Sequence, residues 1–296
     1  MDVGRGDEVV TQANTCIPTV AAIERTGARP ILCDVHAGSA TIDPESLRAA
    51  VGPGTRAIVP VHLYGQVGSL ADVLQVAGER DIPVVEDCAQ AHLATDGERY
   101  AGTLGAFSFY PTKNLGAIGD GGAVVCHDEE LAGRLRRLRV YGQSDRDCHS
   151  ERGVNSRLDE LQAALLRVKV PHLAAWHERR NAIARRYDVA LRDTPARPLE
   201  RLPAREHAYH LYVVRVPERD AFRAALEQRG VGTLIHYPRP VHGHAGYRDL
   251  DDGRVSLTRS ERLAGEIASL PMFPELKDSE VDRVAEAARE AAFGHA

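Results

Sequence analysis

Lys113 is one of three lysines in the chain, with Lys169 and Lys277, in a protein that otherwise takes its positive charge from arginine. A guanidinium stays protonated, whereas an ammonium in a partly buried site can lose its proton and attack a carbonyl. Lys113 is therefore a candidate for Schiff-base chemistry, with an ordinary surface-loop lysine as the plain alternative. The residues around it, AFSFYPTKNLGAIGDGG over 106–122, read as a short buried strand followed by a tight glycine-rich loop. That places the amine beyond the carboxyl end of a strand, where open α/β sheets do their chemistry. Asp87 ends the apolar run IPVVED and reaches the same sheet edge. An amine and a carboxylate converging there suit pyridoxal 5′-phosphate (PLP). The lysine condenses with the aldehyde, and the carboxylate keeps the ring nitrogen protonated so that the ring draws electrons. Asp87 has a second reading, as the cap of a helical turn at 89–91.

The elements that must position these groups follow from the hydrophobic pattern. Short apolar runs at 8–11, 30–34, 57–62, 82–87, 106–110 and 122–126 alternate with amphipathic helices at 18–26, 44–51 and 70–80. Strands that read as continuous apolar runs between helices imply a mostly parallel sheet covered on both faces. A helix through Leu131, Leu135 and Leu138 and a polar loop over 142–153 come next. Ser156 and Asp159 have the spacing of a capping box, and Leu158, Leu161, Leu165 and Val168 give the next helix one apolar stripe. Pro171 ends or kinks that helix, and an arginine-rich helix over 174–191 carries the chain onward. The pattern then predicts a strand at 209–216, a helix at 220–229, a short strand at 233–237 and helices at 258–269 and 279–292. We expect a large α/β domain over 1–175 and a smaller α+β domain over 176–296.

A formal net charge of -5 and a pI of about 6.2 argue against a nucleic-acid or membrane-surface binder. The first residues, MDVGRGDEVV, carry neither a signal-peptide pattern nor an apolar span, and the expected compartment is the cytoplasm. The five cysteines have no paired spacing, so neither a disulfide framework nor zinc is implied. His236, His242 and His244 also fit no common ligand pattern, so no metal is expected. The glycines of 116–122 precede a strand instead of opening a helix, which argues against dinucleotide binding. Tyr64 and His62, after an apolar strand, lie near the site or serve a core or turn role.

Over nearly its whole length the chain resembles the sugar aminotransferases often called the DegT/DnrJ/EryC1 family. The segments that carry the resemblance are TIDPESL, VPVHLYGQ, EDCAQAH, FSFYPTKNLGAIGDGGAVV, LRVYGQ, NSRLDELQAALLRVK and ASLPMFPEL. It implies a fold-type-I PLP enzyme with Lys113 as Schiff-base lysine and Asp87 as partner of the pyridine nitrogen. Gln90 matches a contact near the phenolic oxygen of the cofactor, and Ser108 a hydroxyl donor to its phosphate. Asn155 matches an amide that reaches from one subunit to the phosphate in the other, so a homodimer with shared active sites is implied. On sequence alone Ser108 is equally a small residue filling a strand position, and Asn155 a residue opening a helix.

The resemblance implies amination of a keto group on a nucleotide-linked deoxysugar, with L-glutamate as the usual amino donor. TKNLGAIGDGG and NSRLDELQAA are most similar to members acting on dTDP-linked 3-keto sugars. Related sugar dehydratases carry histidine in place of the lysine, so Lys113 favours transamination over dehydration. Three features depart from the family pattern. A Gly-Thr phosphate turn is expected well before GDEV, where this sequence almost begins, so a chain lacking that segment is expected. Cys16 replaces an aromatic residue that stacks on the cofactor ring, and Leu93 replaces a glycine. The first and second favour a second reading, a truncated and catalytically silent homologue serving as a binding or regulatory partner.

Overall fold

The computed structural model describes residues 3–96, 102–203 and 205–294. Its first part runs β1 (Glu8–Gln12), α1 (Ile17–Arg25), β2 (Arg29–Cys33), α2 (Pro44–Ala50), β3 (Thr55–Val59), α3 (Leu70–Gly78), β4 (Val85–Asp87), β5 (Leu104–Ser108) and β6 (Gly122–Val125). Strands β2, β1 and β3 pair in parallel, as do β4 and β5. Parallel bridges Ile58 to Val84 and Val61 to Asp87 join the two groups into one sheet of order β2-β1-β3-β4-β5-β6. Only β6 runs antiparallel, to β5. The expected mostly parallel α/β layer is present. Val10, Ile31, Ile58 and Val84 of the sheet pack on Leu47, Val73 and Val76 of α2 and α3. On the other face Val9 and Ala57 pack on Ile23 of α1, and such burial on both sides is what unbroken apolar runs require. Helix α2 starts at Pro44 behind Asp43, whose carboxylate accepts from the Glu45 amide.

The reversal between β5 and β6 is a tight loop. Phe109 N donates to Gly121 O at 2.7 Å and Ala117 N to Phe109 O at 2.7 Å. A Cβ at position 116 would stand 2.3 Å from Pro111 O, and one at 122 would stand 2.5 Å from Phe107 O. Those two glycines are therefore demanded by close backbone approach, and they let the chain fold back around Lys113.

Helix α4 (Glu129–Leu138) begins behind Asp128, whose carboxylate accepts from Leu131 N at 2.8 Å. The expected polar loop contains a small hairpin, β7 (Gln143–Asp145) with β8 (Cys148–His149). Helix α5 (Glu160–Lys169) starts later than a capping box at Ser156 would place it. Val154 N and Ser156 N are instead drawn back to Leu138 O and Arg139 O at the end of α4, both at 2.9 Å. The stripe on α5 is also not the buried one expected. Gln162 and Leu166 are buried, whereas Leu161 and Val168 are 66% and 68% exposed. Pro171 breaks the helix into a turn of 3-10 helix before α6 (Leu173–Leu191).

The last part holds β9 (Arg197–Pro198), β10 (Tyr212–Arg215), α7 (Arg219–Gln228), α8 (Thr258–Glu266), β11 (Ile267–Leu270) and α9 (Asp278–Phe293). Its core joins Tyr187 of α6, Phe222 and Leu226 of α7 and Val281 and Ala288 of α9. Two expectations fail here. The helix at 258–269 stops at Glu266, because the next four residues are all buried and pair antiparallel with β10. Apolar composition alone does not separate such a strand from a helix end. The strand expected at 233–237 reduces to one bridge, Leu234 to Ser269. Arg180 of α6, 7% exposed, donates Nη1 to Tyr209 O at 2.9 Å and Met272 O at 3.0 Å, fixing the segment that leads into β10. Among the described residues no helix is long and apolar enough to cross a membrane.

Candidate active site

Asp87 stands at the carboxyl end of β4 and Ser108 at that of β5. Asp87 pairs with Ala106, two residues before Ser108, so the two side chains share a face. Both line a cavity of about 490 Å³ with Thr19 of α1. One Asp87 oxygen accepts from Thr19 Oγ1 at 2.8 Å and the other from Ala89 N at 3.0 Å. The second bond closes a turn, and no helix follows at 89–91. Ser108 Oγ accepts from Tyr110 N at 3.2 Å and keeps its own proton to donate.

Lys113 lies in the loop beyond β5, its amide bonded to Tyr110 O at 2.9 Å. Burial pulls its amine below the usual lysine range, and the Asp87 carboxylate and Cys16 thiol oppose that shift. The Asp87 carboxylate thus lies close enough to the Lys113 amine to influence its charge. Three imidazoles around the amine are held neutral, in each case first by burial and then by the charge of Lys113. His92 is pulled down to about 4, His210 well below its ordinary value, and His236 lower. The amine's surroundings therefore carry no other fixed positive charge from these rings.

Gln90 is 5% exposed. Its Oε1 accepts from Tyr64 N at 2.6 Å, so Nε2 is the free end and donates towards Tyr237 Oη at 3.4 Å. What this amide offers to the site is N–H. Tyr64 achieves this with a left-handed backbone, φ 63°, unusual for a bulky residue. Tyr64 is the orienting residue here, in addition to filling the core beside Val61 and Leu63. His62 is a buried partner of Glu86. Its Nδ1 accepts from Gly68 N at 3.3 Å, so Nε2 carries the proton and donates to Glu86 Oε2 at 2.6 Å.

Asn155 is exposed and lies in the loop before α5. It pairs with Val140, and its Oδ1 accepts from Arg157 Nε at 3.0 Å, which leaves its Nδ2 to donate outward. These contacts belong to its own corner of the chain and not to the Asp87 group. Cys16 sits at the N-cap of α1 beside Tyr237. Leu93 adopts φ 63°, so the loop keeps the backbone that a glycine would take, with a side chain imposed on it.

Thr19, Asn114 and His210 escape sequence reasoning as site residues. None carries a spacing signal, because each acts through a contact between segments far apart in the chain. His236 bonds Ser269 Oγ at 2.9 Å and His242 bonds Glu261 Oε1 at 3.2 Å, so these loop histidines serve different partners. The described residues hold one cluster of metal-type ligands, His62, Glu86 and Cys88. The hydrogen bonds of His62 already occupy both its nitrogens, and Glu86 accepts from Gly102 N as well. That set is a satisfied polar pair in a core, not an open ligand group.

The chain belongs to the DegT/DnrJ/EryC1/StrS aminotransferase family, whose model matches residues 1–289. It is 48% identical to a dTDP-3-amino-3,4,6-trideoxy-alpha-D-glucose transaminase of Micromonospora megalomicea, over 99% of this chain and 80% of that protein. Among solved structures it is similar to DesV of Streptomyces venezuelae in complex with a ketimine intermediate. The TM-score is 0.94 at 42% identity, over 98% of this chain and 80% of that one. It is also similar to NtdA of Bacillus subtilis with bound cofactor PMP, with TM-score 0.90 at 29% identity over 98% of this chain and 68% of that one.

Proposed function

We propose that the protein is a PLP-dependent transaminase that aminates a dTDP-linked 3-keto-deoxysugar, with L-glutamate as amino donor. The observation that carries the reading is the Lys113 amine, lowered by burial and set against the Asp87 carboxylate. The donor set fits PLP group by group. Lys113 answers the aldehyde, Asp87 the ring nitrogen, the Gln90 N–H the phenolic oxygen and the Ser108 hydroxyl the phosphate. When bound, the cofactor supplies an electron sink for the carbon that loses or gains a proton.

The protein's residues do the rest. With the cofactor bound, the Lys113 amine would serve as the general base that takes the proton from the substrate carbon and then as the acid that returns it. Its depressed basicity makes the neutral amine available nearer to neutral pH. Asp87, oriented by Thr19 and Ala89 N, holds the ring nitrogen in its protonated form. Gln90, locked by Tyr64, donates to the phenolic oxygen. The retained lysine also sets the reading apart from sugar dehydration.

Asn155 completes the site from a second copy. In support, Leu161 and Val168 of α5, Ile118 of the Lys113 loop and Val154 beside Asn155 are exposed, each by more than 60%. Apolar side chains on one helix and the loops beside it are what a homodimer interface covers. The division into a cofactor lobe over 1–175 and a small lobe over 176–296 is part of the same proposal. The separate cores around Val10 and around Phe222 support it.

Visible absorbance with added PLP tests the reading. An imine band that bleaches with L-glutamate and is missing in Lys113→Ala is the expected result. Substantial turnover by purified Lys113→Ala would overturn it.

A further inference from the structure

Asn114 follows the reactive lysine and is 7% exposed. Its Nδ2 donates to Ala208 O at 2.8 Å, which fixes the amide so that Oδ1 accepts from His210 Nδ1 at 3.0 Å. Both ends of one buried carboxamide therefore grip the segment 208–210. That segment is itself held. Ala208 N donates to Gly65 O at 2.8 Å, and Arg180 grips Tyr209 O. Gly65 follows Tyr64, whose amide orients Gln90, and a Cβ at position 65 would meet Gln90 O at 2.9 Å. The path Gln90, Tyr64, Gly65, Ala208, Asn114 is continuous and buried.

We infer that Asn114, with His210, is a positioning residue that ties the Lys113 loop to segment 208–210, and through it to the turn that orients Gln90. A loop with only backbone turns to hold it would let the lysine move relative to the amide. The tie removes that freedom, and a buried polar group so fully satisfied is costly to break. It also packs Asn114 and His210 beside the loop that carries the partly buried Lys113 amine. The groups that act on its amine are Asp87 and Cys16, with the rings of His92, His210 and His236 also close enough to feel its charge.

The inference rests on Lys113 being the reacting amine, so its test does not use turnover. Trace acetylation of the full chain without cofactor, over a range of pH, gives the midpoint of Lys113 reactivity, with exposed Lys277 as internal reference. Asn114→Leu and His210→Phe are expected to raise the midpoint by roughly one unit, as water reaches the amine. His210→Gln retains a donor for Asn114 Oδ1 and is expected to keep the wild-type midpoint. If Asn114→Leu does not fold, the two His210 variants decide. An unchanged midpoint in folded Asn114→Leu or His210→Phe overturns the inference, as does a His210→Gln profile matching His210→Phe. Because labelling reads the lysine whether or not PLP binds, a failure of imine chemistry leaves this result standing.

Discussion

Thr19 reaches from the first turn of α1 to the carboxylate of Asp87, hydroxyl to oxygen at 2.8 Å. A residue of one helix thereby sets the angle of a carboxylate on a strand 68 positions later in the chain. Thr19 Oγ1 also meets Thr15 Oγ1 at 3.0 Å, so the contact is one link of a short hydroxyl chain. Thr19→Val keeps the shape and removes the donor. A hydrogen bond to a charged group is worth about 1.5–3 kcal/mol, so PLP affinity should fall roughly tenfold or more. Equilibrium titration with PLP, followed by absorbance, measures it.

Lys113 gives a pH dependence of stability whose sign is fixed. Its folded pKa lies below 10.5, so over that window the unfolded chain binds more protons and stability rises with pH. Lys113→Met removes the dependence. The variant should be more stable than wild type near neutral pH, and the difference should shrink as pH approaches 10.5. Urea unfolding of the cofactor-free proteins at several pH values reads this directly.

His92 acts at the acid end. Its rings contact Phe107 and Phe109, neither nitrogen finds a well-formed partner, and burial lowers its pKa to about 4. The neutral ring's contribution is complete above the ordinary value of 6.5 and is lost as pH falls through the window towards 4. His92→Phe should shift the acid-unfolding midpoint downward while changing stability at pH 8 by no more than about 1–2 kcal/mol. Acid titration followed by circular dichroism distinguishes the two proteins.

The exposed face of α5 makes a prediction about assembly. Leu161→Asp with Val168→Asp puts charge on positions that touch little of their own chain, so the protomer should stay folded. On the proposed homodimer, the double variant should sediment as a monomer and lose activity, since Asn155 would then have no partner site to reach. An unchanged dimer would remove α5 from the interface.

Leu93 offers a test of backbone strain. Leu93→Gly relieves a left-handed conformation that costs an L-residue about 1–2 kcal/mol, against a smaller entropic loss in the unfolded chain. Thermal unfolding should show a gain of up to about 1 kcal/mol.

Much of the fold was legible because its signals are local. The strands from β1 to β6 and the helices between them announce themselves as apolar runs and periodic stripes, each lying within a few residues of where the pattern puts it. β11 did not, since Ile267–Leu270 become a strand only because β10 lies beside them. The stripe on α5 misled for a related reason. Periodicity marks Leu161 and Val168 as apolar but does not say whether they meet their own chain. For the site, Lys113 and Asp87 were readable from residue type at strand ends, and the resemblance supplied Gln90, Ser108 and Asn155. Thr19 and His210 were not readable, and the orienting role of Tyr64 was not either, because each aims another side chain across a gap that only folding closes.

The lock on Gln90 has a consequence for discrimination among small molecules. With Oε1 engaged by the Tyr64 amide, the carboxamide turns its N–H outward, so on the proposed reading a guest beside Gln90 is favoured when it offers an acceptor there. A ring compound bearing an ionised phenol or a bare acceptor there is welcomed, while one with a methylated or protonated oxygen meets an N–H it cannot satisfy well. On the proposed reading, preference among ring compounds at that position is set in part by a tyrosine whose backbone amide orients Gln90.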